Sequence, residues 1–181
     1  MAIQIALFRG INVGKAKRVA MADLRTMFQA LGFKDVQTLL NSGNVVFDAG
    51  RSSTATNAKR IAAALIQTTG VSANTLVLTS AELDAAAAGN PFLDRMDDPS
   101  RMLVGFIAAG ADRKPLQALV DKAAASEHVA LGTDALYLWC PDGILECAFA
   151  DKLVGPAFRD VVTSRNWSTV SKLQSLAAGN R

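Results

Sequence analysis

The order of strand-like and helix-like segments constrains this chain more than any other feature of its sequence. In residues 1–91, short runs of strand-forming residues alternate with segments whose apolar residues recur at helical spacing, in the order β-α-β-β-α-β-α. Residues 102–181 follow the same order. Since β-α-β-β-α-β is the ferredoxin-like arrangement, the sequence predicts an α+β protein with two ferredoxin-like subdomains, each extended by one helix.

Turn-forming residues mark the connections between the predicted strands and helices. Asn41-Ser42-Gly43-Asn44 separates two strand segments and predicts a tight hairpin, and Gly132-Thr133-Asp134 predicts another in the second half. Thr79-Ser80-Ala81-Glu82 has the form of a capping box, which predicts the start of a short helix. A polar, proline-containing segment predicts a linker, giving an N-terminal subdomain at residues 1–91, a linker at 92–101 and a C-terminal subdomain at 102–181.

Short stretches of sequence predict the last three elements of the second half. Residues 146–154 predict a helix that stops at Gly155-Pro156, and Val161–Thr163 predicts a short strand. From Trp167 onward, apolar residues are spaced for a final amphipathic helix.

The composition is that of an ordinary globular protein. Half of the 181 residues are apolar and 19% are charged, which is far from the composition of disordered chains. No apolar run approaches the roughly 18 residues that a membrane-spanning helix needs, so we expect no membrane partner. Arg9 and Gly10 interrupt the apolar stretch that a secretory signal would require, and we expect a cytoplasmic protein.

The cysteines and the histidine argue against several kinds of site. Cys140 and Cys147 lack CxxC spacing and His128 is the one histidine, so the sequence predicts neither a disulfide scaffold nor a zinc site. No third residue stands out to orient Cys147 with His128 as a nucleophilic pair. The carboxylates at residues 94–98 could bind magnesium, but their loop position favours solvent exposure. We predict no metal and no cofactor, and leave catalysis open.

The first candidate site is the turn Arg9-Gly10-Ile11-Asn12-Val13-Gly14-Lys15, in the basic part of a chain whose net charge is only +3. Its glycines allow backbone N–H groups to point into one concavity, and Arg9 and Lys15 add positive charge, so the turn could bind an anion such as phosphate. It matches neither the Rossmann fingerprint nor the P-loop. The alternative is a structural turn in which Asn12 bonds its own backbone.

The second candidate is Thr163-Ser164-Arg165-Asn166-Trp167-Ser168-Thr169, where a strand leads into the last helix. Arg165 and Asn166 would lie beside the helix N-terminus, which favours anions, and Trp167 could stack on a planar ligand. The alternative is that Asn166 or Ser168 caps the helix and that Trp167 is a core residue.

The hairpin tip Asn41-Ser42-Gly43-Asn44 is the third candidate. Turn propensity alone explains each of its residues. Ser42 and Asn44 become candidate ligand contacts only if the tip lies beside Arg9, which the ferredoxin-like strand order permits.

Three motifs, taken together, resemble those of a known family. They are Arg9-Gly10-Ile11-Asn12-Val13-Gly14, Ser42-Gly43-Asn44-Val45-Val46-Phe47 and Arg165-Asn166-Trp167-Ser168-Thr169-Val170-Ser171-Lys172-Leu173. The family is the bacterial domain of unknown function 1697, and the resemblance runs over essentially the whole chain. It implies an α+β fold with ferredoxin-like halves and no established activity.

The positions that match the family's signature segments are mostly polar residues and glycines, which are more typical of a binding site than of packing. These positions are Arg9, Asn12, Gly14, Ser42, Gly43, Asn44, Arg165, Asn166, Trp167 and Lys172. The chain departs from the family pattern at Lys15, where a second glycine is usual, and at Cys147-Ala148, which replace a serine–lysine pair. Any chemistry that depends on that pair would be missing here.

These observations predict binding of a small phosphorylated or otherwise anionic ligand, such as a nucleotide. Arg9 and Arg165 would pair with the anion, Gly14 would supply backbone donors, and Asn12 and Asn166 would fix its orientation. The prediction treats the two strand-to-helix turns as parts of one site and includes no reaction.

Two other functions stay open. The first is nucleic-acid binding on an open sheet, for which Tyr137 and Trp139 are the main candidate aromatics and no RNP-like pattern is present. The second is a protein-interaction module without a ligand, which would use free sheet edges or apolar patches. The sequence leaves the oligomeric state open.

Overall fold

A computed structural model describes residues 2–13, 18–123 and 128–180 of the chain. The chain divides into two compact units, the first formed by Met1–Leu83 with Lys172–Arg181 and the second by Asp84–Ser171. Each unit contains one four-stranded antiparallel sheet. We describe each unit by itself.

The first unit has the ferredoxin-like order of elements. Its sheet has the strand order β2-β3-β1-β4, which places β1 and β3 in the centre. The elements are β1 (Ile3–Arg9), α1 (Met21–Ala30), β2 (Lys34–Leu39), β3 (Asn44–Asp48), α2 (Thr54–Thr69) and β4 (Asn74–Thr79). They are followed by α3 (Ser80–Ala88), whose residues from Asp84 onward are grouped with the second unit.

The second unit has the same topology, with the strand order β6-β7-β5-β8. Its elements are β5 (Met102–Ile107), α4 (Lys114–Val120), β6 (His128–Leu131), β7 (Ala135–Trp139), α5 (Ala148–Val154) and β8 (Val162–Asn166). They are followed by α6 (Trp167–Gly179), whose residues from Lys172 onward are grouped with the first unit. The predicted α+β fold with two ferredoxin-like subdomains is therefore confirmed. Within the described ranges, no helix combines the length and apolar character needed to cross a membrane.

The structure refines two predicted elements of the second unit. The strand predicted at Val161–Thr163 runs instead from Val162 to Asn166, because β5 supplies partners for the added polar residues. The helix predicted at 146–154 is a 3-10 turn at Ile144–Glu146 followed by α5.

The segment predicted as a linker, residues 92–101, belongs to the second compact unit. It contains 3-10 turns at Leu93–Arg95 and Pro99–Arg101. Asp98 begins the second turn, since its carboxylate accepts hydrogen bonds from the backbone N–H and the hydroxyl of Ser100 at 2.8 and 2.7 Å. The division of the chain at 92–101 stays a prediction.

The core of the first unit lies between its sheet and the helices α1 and α2. Alternate residues of the central strands face this core, as the two-residue period of a strand requires. Phe28 of α1 meets Phe47 of β3 with ring centroids 5.1 Å apart, and Phe33 lies 4.5 Å from Phe47. The buried cluster includes Ala6, Phe8, Leu24, Phe28, Phe33, Val45, Phe47, Ile61 and Leu65.

A buried network of side-chain hydrogen bonds joins β1 to α2 beside this core. Asn57 and Gln4 are buried, and the Asn57 Nδ2 donates to the Gln4 Oε1 at 2.9 Å. The Gln4 Nε2 in turn donates to the carbonyl of Ser52 at 2.8 Å. Arg60 is the last member of this network and donates to the Asn57 Oδ1 at 3.4 Å. Its guanidinium lies 5.2 Å from the ring centre of Phe33. Because these side chains bond one another, α2 can bury polar groups against the central strand.

The second unit buries apolar side chains between its sheet and the helices α4 and α5. The buried cluster includes Leu103, Leu116, Leu136, Leu138, Cys140, Phe149, Leu153 and Val162. On the opposite face of the sheet, the Tyr137 hydroxyl donates to the carbonyl of Ala86 at 2.7 Å and fastens α3 to this unit. Neighbouring Gly89 leaves room for that hydroxyl, since an added Cβ would lie 2.7 Å from it.

We expect Gln4→Leu and Asn57→Leu to be energetically coupled. Each single variant leaves a buried amide partner unsatisfied and should lower the free energy of unfolding by about 2 kcal/mol. The double variant removes both partners of the bond, so it should lose about 1 kcal/mol less than the sum of the single losses. Urea unfolding followed by circular dichroism measures all three variants, and strictly additive losses would contradict the buried network.

Candidate functional site

The candidate site lies at the end of β1, where the chain leaves the sheet for α1. Gly10 follows the strand with φ +82, a conformation that glycine adopts without strain. Ile11 then turns inward and is 2% exposed, so it anchors the connection in the core. Gly14 and Lys15, both predicted as site residues, lie outside the described residues.

Asn12 fastens this connection on two sides. Its Nδ2 donates to the carbonyl of Val19 at 2.9 Å, and its Oδ1 accepts from the N–H of Val19 at 2.8 Å. The same Nδ2 donates to the carbonyl of Asn41 at 2.8 Å. Both Nδ2 hydrogens are thus engaged and the remaining polar atom is an acceptor, so the Asn12 amide is suited to shaping the site rather than donating to an anion.

The hairpin tip packs directly against the end of β1. The N–H of Phe8 donates to the carbonyl of Gly43 at 2.9 Å. A Cβ on Gly43 would overlap the buried side chain of Ile11 and lie 3.0 Å from the Phe8 Cβ, so a side chain at position 43 would not fit without displacing Ile11. Asn44 is fully buried, and its Nδ2 donates to the carbonyl of Leu39 at 2.8 Å and to the Ser42 Oγ at 3.0 Å.

The first unit therefore brings together four of the predicted site residues. Asn12 bonds the hairpin tip, Ser42 lies on that tip, and Asn44 pairs with Leu7 in the sheet, two residues before Arg9 at the strand's end. Arg9 is half-buried there, and Ser42 is exposed. The hairpin tip therefore lies beside the end of β1, and the roles of Ser42 and Asn44 as ligand contacts stay predictions.

An open cavity of about 530 Å³ lies beside this junction. It is bounded by the strand-to-helix connection, the hairpin tip and the first turn of α1. Ala20 is the N-cap of α1, and its methyl group cannot accept a hydrogen bond from the first N–H groups of the helix. Arg18 and Asp23 are exposed side chains of opposite charge at this cavity. The lining residues are Asn12, Arg18, Val19, Ala20, Met21, Asp23 and Asn41.

Sequence reasoning missed the part that Arg18 and Asp23 play in this cavity. Neither is among the predicted site residues, because nothing in their spacing shows that the chain folds back from Val19 to Asn12. One local signal was present, since Ala20 is a poor N-cap and leaves the start of α1 without a side-chain acceptor.

The second strand-to-helix turn, in the second unit, has mainly structural contacts. The Asn166 Oδ1 accepts from the N–H of Thr169 at 3.0 Å and from its hydroxyl at 2.7 Å, so Asn166 caps α6. Arg165 pairs with Val104 across the sheet, and its Nη1 donates to the carbonyl of Ser164 at 2.8 Å. Burial lowers the pKa of Arg165 to about 10, which leaves it protonated at neutral pH.

Trp167 and Lys172 complete the set of predicted residues. Trp167 is the first residue of α6 and is half-buried, whereas Lys172 is exposed one turn later. Lys172 is grouped with the first unit and Trp167 with the second. The predicted contact of Arg9 and Arg165 with one ligand stays a prediction, since each arginine is described within its own unit.

The candidates that the sequence set aside have local structural contacts. His128 begins β6, and its ring lies 6.4 Å from that of Phe92. Asp98 pairs with Arg101 at 3.3 Å, and hydrogen bonds from Ser100 hold the pKa of the Asp98 carboxyl below its usual value. Both residues therefore have local structural partners.

The fold and the cavity define a class of protein, one with two ferredoxin-like units and a polar cavity beside the first strand-to-helix connection. The chain belongs to the family described as "Protein of unknown function (DUF1697)", whose model matches residues 1–137. This family is the one that the three sequence motifs indicated. None of the curated proteins matches the chain.

A solved structure has the same fold over nearly the whole chain. It is that of the conserved bacterial protein SP0830 from Streptococcus pneumoniae, which is 23% identical in sequence with a TM-score of 0.77. The likeness covers 97% of this chain and 98% of that one. At this level of identity it shows the shared fold alone.

We expect Gly43→Ala to be much more destabilising than Gly50→Ala. Both glycines have positive φ, +81 and +62, so each alanine introduces backbone strain of about 1 kcal/mol. Only the Cβ at position 43 would collide with Ile11, since Gly50 has open space around it. Denaturant unfolding should show a loss of about 3 kcal/mol for Gly43→Ala and about 1 kcal/mol for Gly50→Ala. Equal losses would contradict the close packing of the hairpin tip.

Proposed function

We propose that this protein binds a small phosphorylated or otherwise anionic ligand in the cavity beside α1. The observation that carries the proposal is the start of α1, where Ala20 provides no side-chain acceptor and Arg18 lines the same cavity. An anion there would accept hydrogen bonds from the helix N-terminus and pair with a guanidinium.

The cavity has two positive contributions that favour an anion and one negative side chain that opposes it. The helix N-terminus contributes the equivalent of about half a positive charge and Arg18 a full one. Asp23, in the first turn of α1, opposes both. Arg18 and Asp23 are solvent-exposed, so each contributes modestly to affinity and the backbone donors supply the orientation.

The size of the cavity supports a small molecule. A volume of about 530 Å³ lies within the range of roughly 300–1,000 Å³ that is typical of small-molecule sites, and a sugar phosphate or a mononucleotide fits that range. Lys15 belongs to the same connection in sequence and would add a further cation. Arg9 and Ser42, which are close in sequence to the lining residues Asn12 and Asn41, are proposed secondary contacts, and Arg165 and Trp167 remain proposed contacts from the second turn.

The proposal predicts opposite effects for two neighbouring variants. Arg18→Ala removes a charge-assisted contact and should weaken binding about tenfold. Asp23→Asn removes a repulsion across the cavity and should strengthen binding about threefold. Arg51→Ala is the matched control, since it removes an exposed arginine beyond the opposite end of β3 and should leave affinity unchanged. Thermal unfolding against inorganic phosphate, sugar phosphates, nucleotides and single-stranded RNA identifies the ligand, and titration calorimetry compares the variants.

Three results would count against a small-ligand site. If no small anion shifts the melting temperature, the proposal fails. If Arg18→Ala and Arg51→Ala weaken binding equally, the interaction depends on net charge and not on the cavity. If only RNA binds, with an affinity that falls steeply with salt, the protein is a nucleic-acid-binding module instead.

A further inference from the structure

The second unit has its two cysteines at the two ends of the segment between β7 and α5. Cys140 follows the strand and is 2% exposed, whereas Cys147 precedes α5 and is half-buried. Both are free thiols, and Cys147 packs against the buried cluster that contains Cys140. Both also line one cavity of about 220 Å³. Neither residue takes part in the anion site proposed above.

The backbone between the two thiols forms two consecutive turns. The N–H of Gly143 donates to the carbonyl of Cys140 at 2.9 Å, and the N–H of Cys147 donates to the carbonyl of Ile144 at 3.3 Å. Gly143 has φ +106, which a side chain would disfavour, so the glycine allows the chain to reverse here. Leu145, at the outside of the second turn, is 90% exposed. Both cysteines are thus anchored by backbone hydrogen bonds at the two ends of this segment.

We propose that Cys140 and Cys147 form a dithiol site that exchanges with small disulfides and ends as an internal disulfide. The geometry that carries this proposal is the placement of both thiols on the wall of one cavity, with Cys147 packed against the buried cluster that contains Cys140. A disulfide needs its sulfur atoms about 2.05 Å apart, and the turns that join the two cysteines lie between β7 and α5, outside the sheet.

The exchange balances in two steps. The Cys147 thiolate attacks one sulfur of the small disulfide, forms a mixed disulfide and releases one small thiolate, which takes up a proton. Cys140 then loses its proton to solvent and attacks the sulfur of Cys147, which forms the Cys140–Cys147 bond and expels the second small thiolate. The two protein thiols are oxidised by two electrons, and the small disulfide is reduced to two thiols.

The two cysteines differ in a way that assigns these roles. Cys147 is the more accessible thiol and is therefore the one that meets the incoming disulfide. Cys140 is 2% exposed, so it reacts only with a sulfur that is already held at Cys147.

The charge of the cavity indicates which small disulfides it takes. The charged residues that line it are Asp142 and Glu146, both exposed carboxylates. They attract a cationic disulfide and repel an anionic one such as oxidised glutathione. The site should therefore prefer cationic or neutral disulfides.

The first test follows the full chain after it is mixed with cystamine, a cationic disulfide. Samples are acid-quenched, alkylated and measured by intact-mass and peptide mass spectrometry. We expect the wild-type protein to lose two hydrogens and to contain the Cys140–Cys147 bridge, with the mixed disulfide only transient. A wild-type protein that accumulates a stable mixed disulfide, or that stays reduced in excess cystamine, would overturn the proposal.

Two single variants test the assigned roles. Cys140→Ala should stop at the mixed disulfide on Cys147, because the second thiol is absent. Cys147→Ala should stay unmodified, because Cys140 is buried. The reverse pattern, with Cys140 modified and Cys147 unmodified, would overturn the assignment. Circular dichroism checks that each variant is folded. If Cys140→Ala does not fold, the wild-type experiment alone decides whether the Cys140–Cys147 bridge forms.

The rate of exchange tests the preference for cationic disulfides. Cystamine should react about tenfold faster than oxidised glutathione at low salt, with the neutral hydroxyethyl disulfide between them. The double variant with Asp142→Asn and Glu146→Gln should remove most of this difference without affecting formation of the bridge. Equal rates for the three disulfides in the wild-type protein would refute the role of the two carboxylates.

Discussion

The contact between Gly43 and Ile11 is the constraint on which the candidate site of the first unit depends. Because position 43 has no side chain, the hairpin tip reaches the end of β1 and the carbonyl of Gly43 accepts the N–H of Phe8. That approach brings Asn41 within reach of Asn12, whose amide then holds Val19. The position of the α1 N-terminus and of the cavity beside it follows from this short chain of contacts.

The fold could be predicted because its signals are local. Strand and helix periodicities, turn residues and the capping box at Thr79 are readable in short windows, and the Glu82 carboxylate does accept from the Thr79 N–H at 2.7 Å. The end of β8 could not be predicted in this way. Arg165 and Asn166 are polar and become strand residues only because β5 lies alongside. Pairing between distant segments overrides local pattern there.

The site was harder to predict because asparagine has two uses that look the same in a sequence. Asn12, Asn44 and Asn166 were all candidates for contacting a ligand, and all three form hydrogen bonds that hold the backbone. An amide suits a tight turn for the reasons that it suits a ligand, since it both donates and accepts. Arg18 is the opposite case, a residue that lines the cavity but was not predicted as a site residue. Its place at the cavity depends on the path of the backbone, which no motif encodes.

A comparison of the two units supports placing the proposed anion site in the first. In both, the connection that follows the first strand of the sheet bonds the tip of the neighbouring hairpin. In the second unit Arg113 makes this bond, donating to the carbonyls of Gly132 and Thr133, so the guanidinium is used to close the fold. In the first unit the neutral amide of Asn12 makes it. A cation in the first connection, Arg18, can therefore face a cavity instead of a hairpin.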